Sequence, residues 1–272
     1  MRLSKLFLSV LVISACLMPL ESNAQAKRRS SNMVAPTTRS TPAKKTSSSS
    51  AAVTAAKLKG NEYLFMMDSG GMEMSLCLGS VELTSASEFV FYNWNDDSET
   101  KGKWTLTGSK LALTIPSSGK TLFTGNVGAD TKKFTGSADG NKVILYNITA
   151  PKTNPSVSEI KKSIVGGKYN AFLVLFPPGE NMPVLVPATV KFTPTDSNSG
   201  TFKITGTSQI YTLAGVLKGE YRFEGEDIYM SAFGNEEDYD SLTENPNYIV
   251  VNLGDKKINQ MGTFSLGVYL VK

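Results

Sequence analysis

Three spacings in this chain have the form of chemical sites. Asp68-Ser-Gly70, following the apolar Leu64-Phe-Met-Met67, resembles an aspartic-protease turn, where two carboxylates share a proton. Ser117-x-x-Lys120 and Ser158-x-x-Lys161 have the spacing of acyl-serine enzymes. Glu236-Glu-Asp238-Tyr-Asp240 and the alternating Asn93, Asn95, Asp97 and Glu99 offer oxygens of the kind that calcium takes. Each lacks what its chemistry needs. The stretch corresponding to Asp68 in the second half, Phe176-Pro-Pro-Gly179, has no aspartate, so the partner carboxyl is missing. The Ser-Asp-Asn and Lys-Thr-Gly companions of a Ser-x-x-Lys enzyme are absent, and neither acidic stretch has the glycine and distant glutamate of an EF-hand loop. With no histidine in the chain, a Ser-His-Asp triad and a His/Cys zinc site are excluded. The expectation is therefore a hairpin turn at Asp68, solvated acidic loops, and a protein with no catalytic residue, metal or cofactor. Asn147-Ile-Thr149 is formally a glycosylation acceptor but lies in an expected strand.

The chain's charge is unevenly placed. Arg2 and Lys5, an apolar run from Leu6 to Leu20 and the small residues of Ala24-Gln25-Ala26 read as an export signal over 1–26. A second reading takes Ile13-Ser-Ala-Cys16 as a lipobox, with Cys16 the lipidated first residue of an outer-membrane lipoprotein. The run is too short and wrongly flanked for a lasting transmembrane span. Residues 27–50 are Ser, Thr, Pro, Ala and basic residues with almost nothing to bury, and read as a disordered linker. Residues 27–58 carry Lys27, Arg28, Arg29, Arg39, Lys44, Lys45 and Lys57 and no acid, while the whole chain is only +4, so everything from Lys59 onward is net acidic. The basicity belongs to a tail, which excludes a nucleic-acid-binding fold; the tail's role is spacer or contact with an anionic envelope component. Ordinary signal cleavage leaves Cys77 alone, an inert and partly buried thiol without a disulfide partner.

The elements that must position everything else are written twice. Gly102-Lys-Trp-Thr-Leu-Thr-Gly108-Ser-Lys-Leu-Ala-Leu-Thr114 recurs as Gly219-Glu-Tyr-Arg-Phe-Glu-Gly225-Glu-Asp-Ile-Tyr-Met-Ser231. In both, apolar residues alternate on either side of the second glycine: Trp104, Leu106, Leu111 and Leu113, then Tyr221, Phe223, Ile228 and Met230. Period two with a turn between is a β-hairpin. Flanking landmarks keep their order, with Gly60, Tyr63 and Val81-Glu-Leu-Thr84 matching Gly166-Gly167, Tyr169 and Val190-Lys-Phe-Thr193, which is the signature of an internal repeat. Short strands with turn signals run from Glu62 to Ile148 and from Tyr169 to Val271, with breaks at Gly79-Ser80 and Pro187-Ala188. The acidic insert Asn235–Glu244 reads as non-strand. Short helices are expected before each half, at 51–59 stopped by Gly60, and after Ser156-Val-Ser-Glu159, which has the form of a capping box.

The G-x-[WY]-x-[LF]-x-G-x-x-[LI]-x-[LM] hairpin, in a unit of about a hundred residues behind an export signal, resembles the lipocalin-like or calycin-like barrels of secreted bacterial proteins. The resemblance implies an all-β chain of two tandem small antiparallel barrels, 51–151 and 152–272, each preceded by a short helix. It implies a non-catalytic periplasmic or extracellular binding protein for a small apolar ligand or a surface partner. Phe65, Trp104, Leu106, Tyr169, Tyr221 and Phe223 are the candidate ligand-lining residues; the same aromatics also read as plain core. The competing reading is a cell-surface structural or adhesive protein of solid β-sandwiches.

Overall fold

The alternating runs form sixteen strands and two short helices among the described residues of a computed structural model. Those residues are 53–68, 75–128, 130–179, 183–206, 217–233, 238–257 and 262–272. The expected signal at 1–26 with Cys16, the linker at 27–50, Ser69 to Gly71 of the aspartate turn, the strand expected at Ser208–Ala214, and Glu236 and Glu237 of the acidic insert lie outside them. Among the described residues no helix is long and apolar enough to cross a membrane. Ser50–Lys272 forms one compact unit.

In the first half, β1 (Glu62–Asp68), β2 (Ser75–Glu82), β3 (Glu88–Asn93), β4 (Ser98–Thr107), β5 (Lys110–Ile115), β6 (Lys120–Val127), β7 (Lys133–Ala138) and β8 (Asn141–Asn147) pair antiparallel in chain order. β8 then closes on β1, from Tyr63↔Asn147 to Met67↔Val143. This is a closed eight-stranded up-and-down barrel. Its interior is occupied by Tyr63, Phe65, Phe89, Trp104, Phe123 and Phe134, all at most 2% exposed. The helix α1 (Ala55–Leu58) adds Leu58 to the same cluster and ends at Lys59 before Gly60, whose φ of 78° suits only glycine well.

The second half runs β9 (Asn170–Phe176), β10 (Val184–Pro194), β11 (Ser199–Thr205), β12 (Leu217–Glu224), β13 (Asp227–Ala232), β14 (Asp238–Ser241), β15 (Tyr248–Lys257) and β16 (Thr263–Val271). Its hydrogen-bonded order is β15-β16-β9-β10-β11-β12-β13-β14, an antiparallel meander around a second cluster that includes Phe192, Phe202, Tyr221 and Phe223. Between β14 and β15 no ladder forms among the described residues. Two aspartates bridge them: Val250 N donates to Asp240 Oδ2 at 2.6 Å and Asn252 N to Asp238 Oδ2 at 3.2 Å. The helix α2 (Val157–Val165) carries the expected capping box and buries Ile160 and Ile164 in this cluster.

The first glycine of each hairpin has a steric cause. Gly102 lies opposite Phe89 and Gly219 opposite Phe202, each on the strand before. A Cβ on Gly102 would run into the Phe89 ring, and one on Gly219 would meet the Ser231 carbonyl and the Phe202 ring. In both places an aromatic ring lies over bare backbone, the arrangement by which a strand glycine is covered.

Three expected breaks and loops turn out otherwise. Gly79 does not end a strand: it sits in a bulge of β2 where pairing slips between Phe65↔Gly79 and Met66↔Cys77. The slip places Cys77 on the outer face while Val81 stays inward. Pro187 lies inside β10, at the end of the stretch paired with β9 and just before the stretch paired with β11. The acidic insert contains a strand, β14, because Asp238 and Asp240 find backbone donors on β15 that offset the low strand propensity of aspartate.

A third cluster joins the halves. Leu64, Met66, Cys77, Tyr146, Ile148, Phe172, Val174, Leu185, Tyr269 and Val271 bury the outer faces of β1, β2, β8, β9, β10 and β16 against one another. The sheet itself continues across this junction through Leu76↔Val184 and Ser75↔Leu185, and Cys77 N donates to Pro183 O at 3.0 Å. Burial of each large apolar side chain here contributes roughly 1.5–3 kcal/mol, so the contact is a second-layer core.

Candidate functional site

Packing two curved surfaces leaves an open groove beside their contact. Its wall in the first half is built at the tip of the β3–β4 hairpin. There Asn93 Oδ1 accepts from Asn95 N at 3.1 Å, and Asp96 Oδ1 accepts from Ser98 N at 3.2 Å and Ser98 Oγ at 2.6 Å. Side-chain acceptors of this kind fold the turn locally, and Asp97 takes a φ of 52° within it. Trp94 N donates to Leu78 O at 3.0 Å, which holds the hairpin against the bulged strand.

The opposite wall is the segment between β14 and β15. Asn245 Nδ2 donates to Ile148 O and Asn247 Nδ2 to Thr149 O, both at 2.7 Å, so two amides fasten this segment to the end of β8. Tyr169 secures it from behind, its hydroxyl donating to Pro246 O at 2.6 Å. The resulting cavity is about 580 Å³ and is lined by Tyr92, Trp94 and Tyr248, by the acids Glu62, Asp97 and Glu99, and by small polar side chains.

The electrostatics of the groove are negative. The Tyr92 hydroxyl is pushed above its ordinary value of 10.0, first by burial and then by Glu99, Glu82 and Glu62. At the inner end Tyr248 stands edge-on to Tyr269, ring centroids 5.3 Å apart, and burial pushes its hydroxyl well up. Cys77, beneath them in the third cluster, has its thiol pushed up to about 12 by burial. Among the described residues no three His, Cys, Asp or Glu side chains gather closely enough to hold a metal ion.

The six residues proposed from sequence to line a ligand site fall into two groups. Phe65 and Trp104 are buried in the first cluster with Leu106 packed against it; Tyr221 and Phe223 are buried in the second with Tyr169 against it. Trp104 Nε1 donates to Ser85 O and Glu88 O, both at 3.1 Å, and so ties the β2–β3 loop to β4. Phe223 lies under Lys161 Nζ at 5.2 Å, which gives the lysine of Ser158-x-x-Lys161 a packing partner. Ser117 is exposed in a turn and Lys120 is exposed at the start of β6. Asp68 sits 3.6 Å from Lys142 Nζ, and Asn147 uses its amide on Thr131 O and Thr149 N.

Sequence reasoning passed over Tyr92, Trp94, Tyr248 and Glu62. One signal was present: the alternating Asn93, Asp97 and Glu99, singled out for their oxygens, all reach the groove. Another was the unbroken apolar character of Tyr63-Leu-Phe-Met-Met67, Ala171–Phe176 and Leu266–Val271, which marks strands buried on both faces and hence a second layer. Comparisons with protein-family models, with curated proteins and with solved structures find no match to this chain.

Proposed function

We propose that this chain is an exported, non-catalytic binding protein of lipocalin-like or calycin-like architecture, built from two copies of one eight-strand unit, that holds its ligand in the groove between them. The duplication is supported by the identical strand order of the halves, by a helix before each, and by the aromatic-over-glycine arrangement at Gly102 and Gly219. The second copy would differ in one pairing, where aspartates replace a ladder. Export is supported by the leader-like first 26 residues.

The observation that carries the binding reading is a contrast in space. The barrel interior is occupied by large aromatics, with Trp104 only 1% exposed, whereas the groove of about 580 Å³ is open and has rings and acids on its walls. That volume lies within the usual range for small-molecule sites. Native mass spectrometry of the full chain purified from cells that export it tests the reading. A co-purifying molecule should be lost on Trp94→Ala and retained on Leu106→Ala; loss on Leu106→Ala alone would move the site into the barrel.

A surface-adhesive reading is favoured by a different feature. Arg222, Tyr229 and Tyr239 lie in register across β12, β13 and β14, with Arg222 Cζ 4.0 Å from the Tyr229 ring centroid and the two tyrosines stacked at 5.2 Å. Tyr239 is 58% exposed. Retention of cells on immobilised protein, abolished by Tyr239→Ala and unaffected by Trp94→Ala, would favour that reading.

A further inference from the structure

We infer that the groove takes an organic cation whose charge is an alkylated ammonium group; this names the ligand class for the binding reading above and rests on it. Three rings, Tyr92, Trp94 and Tyr248, and three acids, Glu62, Asp97 and Glu99, share one cavity, and no Lys or Arg lines it. Lys101 pairs with Glu99 at 3.7 Å through an 80% exposed side chain that does not line the cavity, a contact worth little in water, so Glu62 and Asp97 carry more of the groove's charge than Glu99.

The placement of the acids selects the kind of cation. A hard metal ion needs oxygens that converge on one point, and these do not gather that way among the described residues. Acids that line one cavity with aromatic rings but do not converge suit a bulky charge instead. A primary ammonium is strongly hydrated and would exchange water for rings that cannot accept strong hydrogen bonds. A tertiary or quaternary ammonium has little hydration to lose, and its methyl groups carry the charge onto ring faces; each such contact is an attraction to the ring quadrupole. The groove is open to solvent, so a longer molecule can seat its ammonium head and leave its remainder outside.

The same head group occurs free, as in choline, and on phosphatidylcholine, and the test separates these sources. The full chain is titrated with choline and with its uncharged carbon isostere, 3,3-dimethylbutan-1-ol, by calorimetry and tryptophan emission. The chain has two tryptophans, and Trp104 is sealed in the barrel, so the emission change reports Trp94. Choline should bind saturably, the isostere at least tenfold more weakly. Trp94→Ala should weaken choline about tenfold and the Glu62→Gln, Glu99→Gln pair about fivefold, with far-ultraviolet circular dichroism unchanged. Co-sedimentation with phosphatidylcholine vesicles but not phosphatidylglycerol vesicles would name the lipid as the source; choline binding without sedimentation would name the free cation. Equal binding of the isostere, absence of saturable choline binding, or preference for phosphatidylglycerol overturns the proposal. If native mass spectrometry then finds a neutral molecule that Trp94→Ala releases, the groove reading stands and only the cation falls; if Trp94→Ala releases nothing, both fall.

Discussion

The two halves of the molecule differ most at one pair of neighbouring strands. In the first, β6 and β7 exchange ladder hydrogen bonds from Thr124↔Ser137 to Val127↔Phe134, and the barrel closes by backbone alone. In the second, β14 and β15 lie side by side and the N–H groups of Val250 and Asn252, left without ladder partners on β14, find the carboxyls of Asp240 and Asp238. Buried backbone donors must be satisfied; what satisfies them is not restricted to a carbonyl. The difference teaches that a strand edge can be sealed by side chains, at the cost of making that edge titratable. It also shapes the groove, because the segment that follows β14 forms its far wall.

The strongest way to break the comparison is to separate the halves. Leu64→Asp puts an unpaired charge into the cluster shared by both, and should cost about 4 kcal/mol. Calorimetry should show one transition for the parent chain and two for the variant; a single, merely lowered transition in the variant would mean that neither half is stable without the other. Next in size are the covered glycines. Gly219→Ala meets the Ser231 carbonyl most closely and should cost about 3 kcal/mol in urea unfolding; Gly102→Ala meets the Phe89 ring first and the Thr114 carbonyl less closely, and should cost about 2 kcal/mol. A reversed order would show the two hairpins to be packed differently.

The seam itself is probed by Asp240. Its carboxyl is raised above the ordinary 3.8, first by burial and then by Glu244 and Asp238, while bonds from Val250 and Ser241 pull it down. The folded chain thus holds this proton more tightly than the unfolded one, so Asp240's favourable contribution is complete below pH 3.8 and is lost as pH rises through the higher folded value. Asp240→Asn should flatten that fall in denaturation curves taken across the acidic range. Asp240→Ala should leave the Val250 amide without its acceptor, raising its hydrogen-exchange rate about tenfold, at a cost of about 1–2 kcal/mol. The β6–β7 ladder of the first half should show no such pH dependence. The smallest effect is on Cys77. Buried between the halves with its thiol at about 12, it should resist thiol reagents at pH 8 in the native state and react only as the junction opens, so its labelling rate should rise in Leu64→Asp.

Much of the barrel was legible in the chain. Trp104, Leu111 and Leu113 alternate with polar residues, Gly108 supplies the turn, and the expected hairpin is β4–β5. The capping box at Ser156 was equally local and equally readable. The groove was not, because its walls come from the starts and ends of β1, β3, β8 and β15, and no spacing along the chain links Glu62 to Trp94 or Tyr248. The strand at Asp238–Ser241 was missed for a related reason. Its aspartates argue against a strand until β15 is beside them.

The order of residues by itself determined which faces are apolar, where the chain turns and which short helices are capped, because each of these depends on neighbours a few positions apart. Tertiary structure alone decided that the outer faces of β1 and β9 bury each other, that two carboxyls close the second meander, and that rings and acids from separate strands meet at one groove. An apolar run on both faces of a strand demands a cover, but it does not say which surface will supply it; that choice is made only when the two curved sheets pack.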